Sequence, residues 1–130
     1  MNYEEANKML GGKPEVCLHR SVPVRMKGPE YYGGPISIKL YSTPILTIFM
    51  DNSITIRTDG YRTRTTKKYI NKYLPQDWQV YQEDGVWYLR HITYIGQEDV
   101  SPIYLLSEGI TIYSDNWTVI GDNFPIPEKK

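Results

Sequence analysis

Short runs of alternating apolar and polar residues, separated by turn-forming pairs, run through most of this sequence. The clearest case is the segment 78–90, where two such runs flank Asp84-Gly85. An Asp-Gly pair supports the two positive φ angles of a type I′ turn, so it predicts a tight antiparallel hairpin. Alternate cross-strand pairs would then face the core, and the others would form an aromatic, polar face. The core pairs are Val80 with Leu89 and Gln82 with Trp87; the outer pairs are Tyr81 with Tyr88 and Gln79 with Arg90.

The same alternation predicts further strands. Residues 36–41 indicate one strand, and residues 45–50 and 54–57 indicate a second hairpin. Alternation over 16–26 predicts one long, half-buried strand. We expect that strand to lie near a sheet edge, because Pro23 cannot donate a ladder hydrogen bond.

Residues 102–106 and 110–113 predict a last hairpin that turns at Glu108-Gly109. Its buried face would carry four apolar side chains, Ile103, Leu105, Ile110 and Ile112. Residues 43–61 and 101–117 also share a pattern, which is [Ser/Thr]-Pro-Ile, a turn, and Ile-Thr-Ile-x-[Ser/Thr]-Asp-[Gly/Asn]-aromatic. Duplication and convergence explain this repeat equally well, since Ile-Thr-Ile is ordinary strand sequence.

Two short helices interrupt the strands. Residues 3–10 follow Asn2, a good N-cap, carry acids in the first turn and end at a Gly-Gly pair. Residues 67–74 follow Thr65 or Thr66 as the cap and end before a proline. The first helix is too short to be stable alone, so it must pack on the sheet.

These elements predict a single α+β domain, a twisted antiparallel sheet of about six to eight strands with one or two short helices. We expect the domain to span residues 1–120 and a loose, proline-broken tail to follow over 121–130. A chain of 130 residues fits one domain with a modest core and leaves no room for a second.

Composition narrows the class of function. Lys and Arg number 15, as do Asp and Glu, so the formal net charge is zero. This balance argues against a protein that coats a polyanion and against an acidic nucleic-acid mimic. The chain shows no apolar run of roughly 18 residues and no N-terminal signal peptide, so we expect no membrane contact. One cysteine excludes an internal disulfide framework, and with two histidines we expect no metal and no cofactor.

Positive charge is concentrated over residues 57–72, which hold six basic residues against the single acid Asp59, a net charge of +5. A helix N-terminus with flanking hydroxyls and Arg is a good anion site, and interleaved tyrosines suit single-stranded nucleic acid. A solvated helix face explains the same charges. The candidate ligand-binding residues are Arg57, Tyr61, Arg62, Arg64, Thr65, Thr66, Lys67, Lys68 and Lys72, with Tyr81, Tyr88 and Arg90 from the hairpin.

Tyrosine is frequent, with 12 tyrosines against 2 phenylalanines. In a small β-rich domain most tyrosines fill half-buried strand positions, but an exposed set can bind a protein at low entropic cost. The Gly- and Pro-rich loop 27–35 carries Tyr31 and Tyr32 and is the candidate protein-interaction loop.

Two Arg-His pairs, at His19 and His91, raise a weaker hypothesis of phosphoester hydrolysis if their strands meet. A strand histidine more often makes an ordinary hydrogen bond. The sequence has no Gly-rich phosphate loop, nucleophile elbow or metalloprotease motif, so we expect no catalytic residues.

Three motifs lie within residues 38–89. They are Tyr61-Arg62-Thr63-Arg64-Thr65-Thr66-Lys67-Lys68-Tyr69-Ile70-Asn71, then Leu74-Pro75, then Asp84-Gly85-Val86-Trp87-Tyr88. This combination resembles a family of uncharacterised small proteins of tailed bacteriophages and prophages, in which tryptophan is more usual at the position of Tyr61. The resemblance implies phage origin and action in the host cytoplasm on nucleic acid, transcription or defence systems, and it brings no established activity.

We therefore expect a non-catalytic phage accessory protein of the host cell cytoplasm that binds nucleic acid or a phosphate-bearing ligand through its basic, aromatic strand-turn-helix. The alternative is an anti-defence inhibitor, of the anti-CRISPR kind, that binds a host protein through its tyrosines and the 27–35 loop. An exposed edge strand would also permit a homodimer.

Overall fold

The computed structural model describes residues 1–115 and 118–121, and within them it confirms the α+β class, with two helices and twelve strands. The predicted tail over 121–130, apart from its first residue, and two residues of the second repeat lie outside the described residues. The elements are α1 (Tyr3–Leu10), β1 (Glu15–His19), β2 (Val24–Lys27), β3 (Ile36–Leu40), β4 (Thr43–Ile48), β5 (Ile54–Ile56), α2 (Arg64–Tyr73), β6 (Trp78–Glu83), β7 (Val86–His91), β8 (Tyr94–Ile95), β9 (Glu98–Asp99), β10 (Ile103–Leu105), β11 (Ile110–Ile112) and β12 (Val119–Ile120).

The strands form three antiparallel sheets. The largest has seven strands in the order β1-β2-β3-β4-β5-β11-β12, within the predicted range of six to eight. A second sheet has the order β10-β7-β6, and β8 and β9 form a two-stranded ribbon. Helix α2 contacts β4 of the first sheet and β6 of the second, so it joins the two.

Local signals predicted several elements correctly. The β6–β7 hairpin has the predicted register, and its turn has positive φ angles at Asp84 (52°) and Gly85 (78°). Helix α1 begins after Asn2, whose side chain and that of Glu5 form a capping box, and it ends at Gly11 in the left-handed conformation. These agreements rest on residues close together in sequence, where turn and cap chemistry decide the structure.

The single strand predicted over 16–26 is wrong, because β1 and β2 form a hairpin that turns over residues 20–23. Only Arg20, the first residue of this turn, interrupts the alternation of apolar and polar residues, so the periodicity gives little sign of the turn. Pro23 lies in the turn, and the Val22 N–H donates to His19 Nδ1 at 3.2 Å.

The predicted last hairpin is also wrong, because its two strands belong to different sheets. Strand β10 pairs with β7, whereas β11 pairs with β5. Tyr104 lies opposite Leu89 and is buried, and Leu106 is buried as well. The predicted burial of Ile103 and Leu105 is therefore wrong, because those side chains alternate with the buried ones and are only half-buried. The other two predicted side chains, Ile110 and Ile112, are buried.

The two Ile-Thr-Ile motifs of the internal repeat are direct partners. Thr55 lies opposite Thr111, and their Oγ1 atoms are 2.9 Å apart. On either side of this pair, an isoleucine of one motif lies opposite an isoleucine of the other. Each motif thus meets its counterpart across a local two-fold axis, which explains why the same residue types suit both strands.

One hydrophobic core includes buried residues of both larger sheets and both helices. Its centre is aliphatic, with Ile36, Ile38, Ile45, Leu46 and Ile48 fully buried. Helix α2 adds Tyr69 and Ile70 to this core and leaves its opposite side in water. In the described residues, neither helix is long and apolar enough to cross a membrane.

Candidate ligand-binding site

Helix α2 begins three residues earlier than predicted, and its N-cap is Thr63 rather than Thr65 or Thr66. The Thr66 N–H donates to Thr63 Oγ1 at 3.1 Å, the bond expected of a threonine cap. Thr66 is buried under the first turn, and its hydroxyl lies 3.1 Å from that of the cap. The earlier start brings Arg64 into the first helical position.

The exposed side of α2 carries a row of three cations, Arg64, Lys68 and Lys72, which we call the basic stripe. Residues four apart lie on the same helix face, so the three side chains follow one another about 6 Å apart along the axis. Within the described residues, no carboxylate oxygen lies within 4.0 Å of their charged nitrogens. The ammonium groups of Lys68 and Lys72 lie 5.5 and 5.9 Å from the ring centre of Tyr69.

The electrostatics at the start of α2 favour an anion. The first turn contains no acidic residue, and Arg64 and Lys67 lie at the end where the helix dipole is already positive. Cations at this end destabilise a helix, and a bound anion removes the penalty.

Arg62 and Lys67 join α2 to the second sheet. The Arg62 guanidinium and the Lys67 ammonium lie 5.9 and 5.5 Å from the ring centre of Trp87, and Arg62 Nη2 donates to the Leu106 carbonyl at 2.9 Å. Trp87 is buried. Arg62 and Lys67 of the first sequence motif therefore contact Trp87 of the third, while Arg62 remains exposed to water. Arg57 is also exposed and packs over Gly109. A Cβ atom added to Gly109 would lie 3.4 Å from the Nη2 atom of Arg57.

A carboxylate that the sequence did not single out occupies the turn before α2. Glu108 accepts hydrogen bonds from the Thr58 N–H at 2.8 Å, the Thr58 hydroxyl at 2.6 Å and the Gly60 N–H at 3.1 Å. Burial raises the pKa of Glu108, but these hydrogen bonds and the charge of Arg62 outweigh it, so the pKa lies below its ordinary value. The amides of this turn therefore already hold an anion. Sequence marked Glu108 only as a hairpin-turn residue, because its partners lie about fifty positions away.

An open cleft of about 500 Å³ lies between the β3–β4 turn, the turn before α2 and the first turn of α2. Among the residues that the structure describes, its lining contains hydroxyl, aromatic and aliphatic side chains and none that is charged. The lining residues are Leu40, Tyr41, Ser42, Thr43, Ile45, Thr58, Tyr61, Thr63, Thr65 and Thr66.

Two tyrosines of the cleft lining are largely exposed, with 66% of the surface of both Tyr41 and Tyr61 in water. Tyr41 has a φ of 54°, and it begins the two-residue turn between β3 and β4. Glycine favours that conformation, whereas a large aromatic residue is strained in it. Alternation placed Tyr41 only at the end of a strand, and no sequence signal marked its strained turn.

The hairpin residues of the predicted site lie apart from the basic stripe. The rings of Tyr81 and Tyr88 stack at 5.4 Å, and Tyr88 is buried. Arg90 donates to Gln79 Oε1 at 2.8 Å and lies 3.6 Å from Asp99 Oδ2. Since successive strand residues face opposite sides, these side chains face away from α2, which meets the side of Trp87.

The 27–35 loop exposes both of its tyrosines, with 67% of Tyr31 and 99% of Tyr32 in water. At Gly33 an added Cβ would lie 3.3 Å from the sulfur of Met50, which is itself exposed. We call these three exposed side chains, Tyr31, Tyr32 and Met50, the tyrosine loop surface.

The two histidines lie on strands of different sheets, and those strands do not pair. His19 Nδ1 accepts a backbone hydrogen bond, and its ring meets the edge of Tyr69. His91 is buried, stacks on Trp78 at 4.2 Å and has its Nε2 3.0 Å from Asp77 Oδ2. The phosphoester hypothesis required these strands to meet. Across the described residues there is also no group of three or more His, Cys, Asp or Glu that could hold a metal ion.

Fold and site together define a small α+β protein of antiparallel sheets, with an uncharged cleft beside a basic helix. The sequence model of the Kyanoviridae Gp96 protein matches residues 24–120, about three quarters of the chain. The chain therefore belongs to the Kyanoviridae Gp96 protein family, which confirms the predicted origin in a phage protein family. No curated protein and no solved structure is significantly similar to it.

Proposed function

We propose that this phage protein binds single-stranded nucleic acid along the basic stripe of α2. The observation that carries the proposal is the row of Arg64, Lys68 and Lys72, exposed on one face and without a described carboxylate within 4.0 Å. Cations held in a row neutralise successive phosphates and release their counterions, which favours association. The positive end of the helix dipole adds to the attraction at Arg64.

The shape of the charged surface favours one strand over a duplex. The stripe is a single row about 12 Å long, so it can follow the phosphates of one strand. Tyr61 lies next to the stripe with most of its ring exposed, and stacking on aromatic rings is typical of proteins that bind single strands. The neutral net charge of the chain also suits a local site rather than a polyanion coat.

Replacing the stripe tests the proposal. In Arg64→Gln/Lys68→Gln/Lys72→Gln, we expect affinity for a fluorescent oligothymidine, measured by anisotropy at low salt, to fall at least about tenfold, because three phosphate contacts are lost. Gln preserves helix propensity, so the fold should persist.

The matched control removes the same charge elsewhere. Lys8→Gln/Lys13→Gln/Lys27→Gln lies outside α2, and Lys8 and Lys27 already pair with Glu4 and Glu30. We expect this control to bind like the wild type. Equal affinity of the stripe variant and the wild type, or equal loss in both variants, would contradict the proposal.

A second candidate function is inhibition of a host defence protein through the tyrosine loop surface. The supporting observation is the exposure of Tyr31, Tyr32 and Met50, with Gly33 of the same loop close to the Met50 sulfur. Tyrosine and methionine are enriched at the centres of protein interfaces. From nuclease-treated host lysate, we expect the wild type to retain a protein that Tyr31→Ser/Tyr32→Ser loses. Retention that disappears with nuclease treatment would instead indicate bridging by nucleic acid.

A further inference from the structure

We infer that the cleft beside α2 holds a nucleobase of the strand whose phosphates lie on the basic stripe. This inference rests on the proposed function and adds a role for the bases. It assigns the phosphates to the charged helix and the planar, uncharged part of the ligand to the cleft.

The absence of charge from the cleft lining is the first reason. None of the ten side chains that line it in the described part of the chain is acidic or basic, although Thr63 and Thr65 of the lining flank Arg64 of the stripe. An uncharged cleft beside cations does not suit a phosphate, which requires neutralisation. It suits a neutral ring covalently attached to that phosphate.

The surfaces of the cleft suit such a ring. Leu40 and Ile45 supply apolar contact, and the exposed rings of Tyr41 and Tyr61 supply faces on which a base can stack. Hydroxyl groups, such as that of the half-buried Thr65, can donate or accept hydrogen bonds at a base edge. The volume of about 500 Å³ lies within the range of small-ligand pockets.

The backbone of Tyr41 is the second, independent reason. Its φ of 54° is a conformation that glycine adopts without strain, yet an aromatic ring occupies it at the margin of the cleft. Strained backbone persists at functional clefts where the side chain is needed, which supports a binding role for Tyr41. The N–H of Tyr41 is held by the Pro23 carbonyl at 2.8 Å, which fixes the turn.

The experiment compares oligothymidine with an abasic oligonucleotide of the same length, which has the same phosphates and no bases. We expect the wild type to bind oligothymidine about 5- to 100-fold more tightly, as one or two stacked bases provide. Tyr41→Gly and Tyr61→Ala should each reduce this preference and leave affinity for the abasic strand unchanged. Tyr41→Phe, which keeps the ring, should retain it.

Tyr94→Ala is the control, because Tyr94 is exposed on the separate β8–β9 ribbon and should not alter the preference. Tyr41→Gly relieves the strained φ, so thermal unfolding should show a stability equal to or above that of the wild type. Equal affinity of the wild type for both strands would overturn the base site and leave the stripe proposal intact. An unchanged preference in both tyrosine variants would overturn it as well. Binding to neither strand would overturn the proposed function and the inference together.

Discussion

Glu108 shows at the residue scale how a protein can satisfy an anion site with its own side chain. The amides at Thr58 and Gly60 belong to a turn whose sequence, followed by Arg and Thr, predicts phosphate binding. A carboxylate from the β10–β11 connection already accepts both hydrogen bonds. The amides of this turn are thereby already bonded to a carboxylate, and Thr58 forms part of the wall of the cleft.

We expect Glu108→Ala to destabilise the fold by about 1 to 3 kcal/mol, because the fully buried Thr58 loses the acceptor of its N–H and hydroxyl. Glu108→Gln keeps an acceptor oxygen and should cost less. Urea unfolding at neutral pH measures both. Equal stability of Glu108→Ala and the wild type would show that water replaces the carboxylate without cost.

The same carboxylate predicts a pH dependence. Because the folded-state pKa of Glu108 lies below its ordinary value of 4.5, its contribution to stability is complete above that value and is lost as the pH falls through the folded-state pKa. The stability difference between the wild type and Glu108→Gln should therefore shrink on acidification. Other carboxylates titrate equally in both proteins, so a constant difference down to acid pH would contradict the ionised state of Glu108.

At the scale of elements, Asn71 connects α2 to the edge of the second sheet. Its side-chain amide donates to the Val80 carbonyl at 2.8 Å, and its Oδ1 accepts from the Val80 N–H at 2.7 Å. The side chain thus takes the place of a neighbouring strand along β6 and covers part of an exposed edge. This pair of bonds gives a structural role to the Ile-Asn end of the first sequence motif.

We expect Asn71→Ala to cost about 1 to 3 kcal/mol, because it leaves two backbone groups of the buried Val80 without their partner. Asn7→Ala, in α1, is the control: Asn7 is exposed, and the gain in helix propensity is the same for both changes. Thermal or urea unfolding should show a loss only in the first variant. An equal change in both would contradict the bridging role of Asn71.

The elements also show where prediction from sequence ends. The Asp84-Gly85 turn and the Asn2 cap act over a few residues, so they could be read directly. The separation of β10 from β11 into different sheets could not be predicted from the sequence. Each strand pairs with a partner far away in the chain, and the connecting turn resembles that of an ordinary hairpin. The β1–β2 turn was missed because Arg20 alone interrupts the strand periodicity there.

For the molecule as a whole, a neutral chain separates its charge in space. The excess of cations over residues 57–72 was evident from the sequence. The sequence did not show which of these cations lie over Trp87 and which form the exposed stripe. Arg62 and Lys67 lie over the ring of Trp87, whereas the stripe extends along the exposed side of α2. The cleft was also beyond prediction, since it forms where the Tyr41 turn meets the start of α2, which are distant in sequence. Helix α2, held between the two larger sheets, brings stripe and cleft together.

The salt dependence of oligothymidine binding tests the central claim most directly. For a single strand, the slope of log K against log salt concentration is about −0.7 per neutralised phosphate, so the three cations of the stripe predict a slope of about −2. The stripe variant should show a slope close to zero. A slope close to zero for the wild type, or an equal slope for both proteins, would contradict phosphate binding by α2.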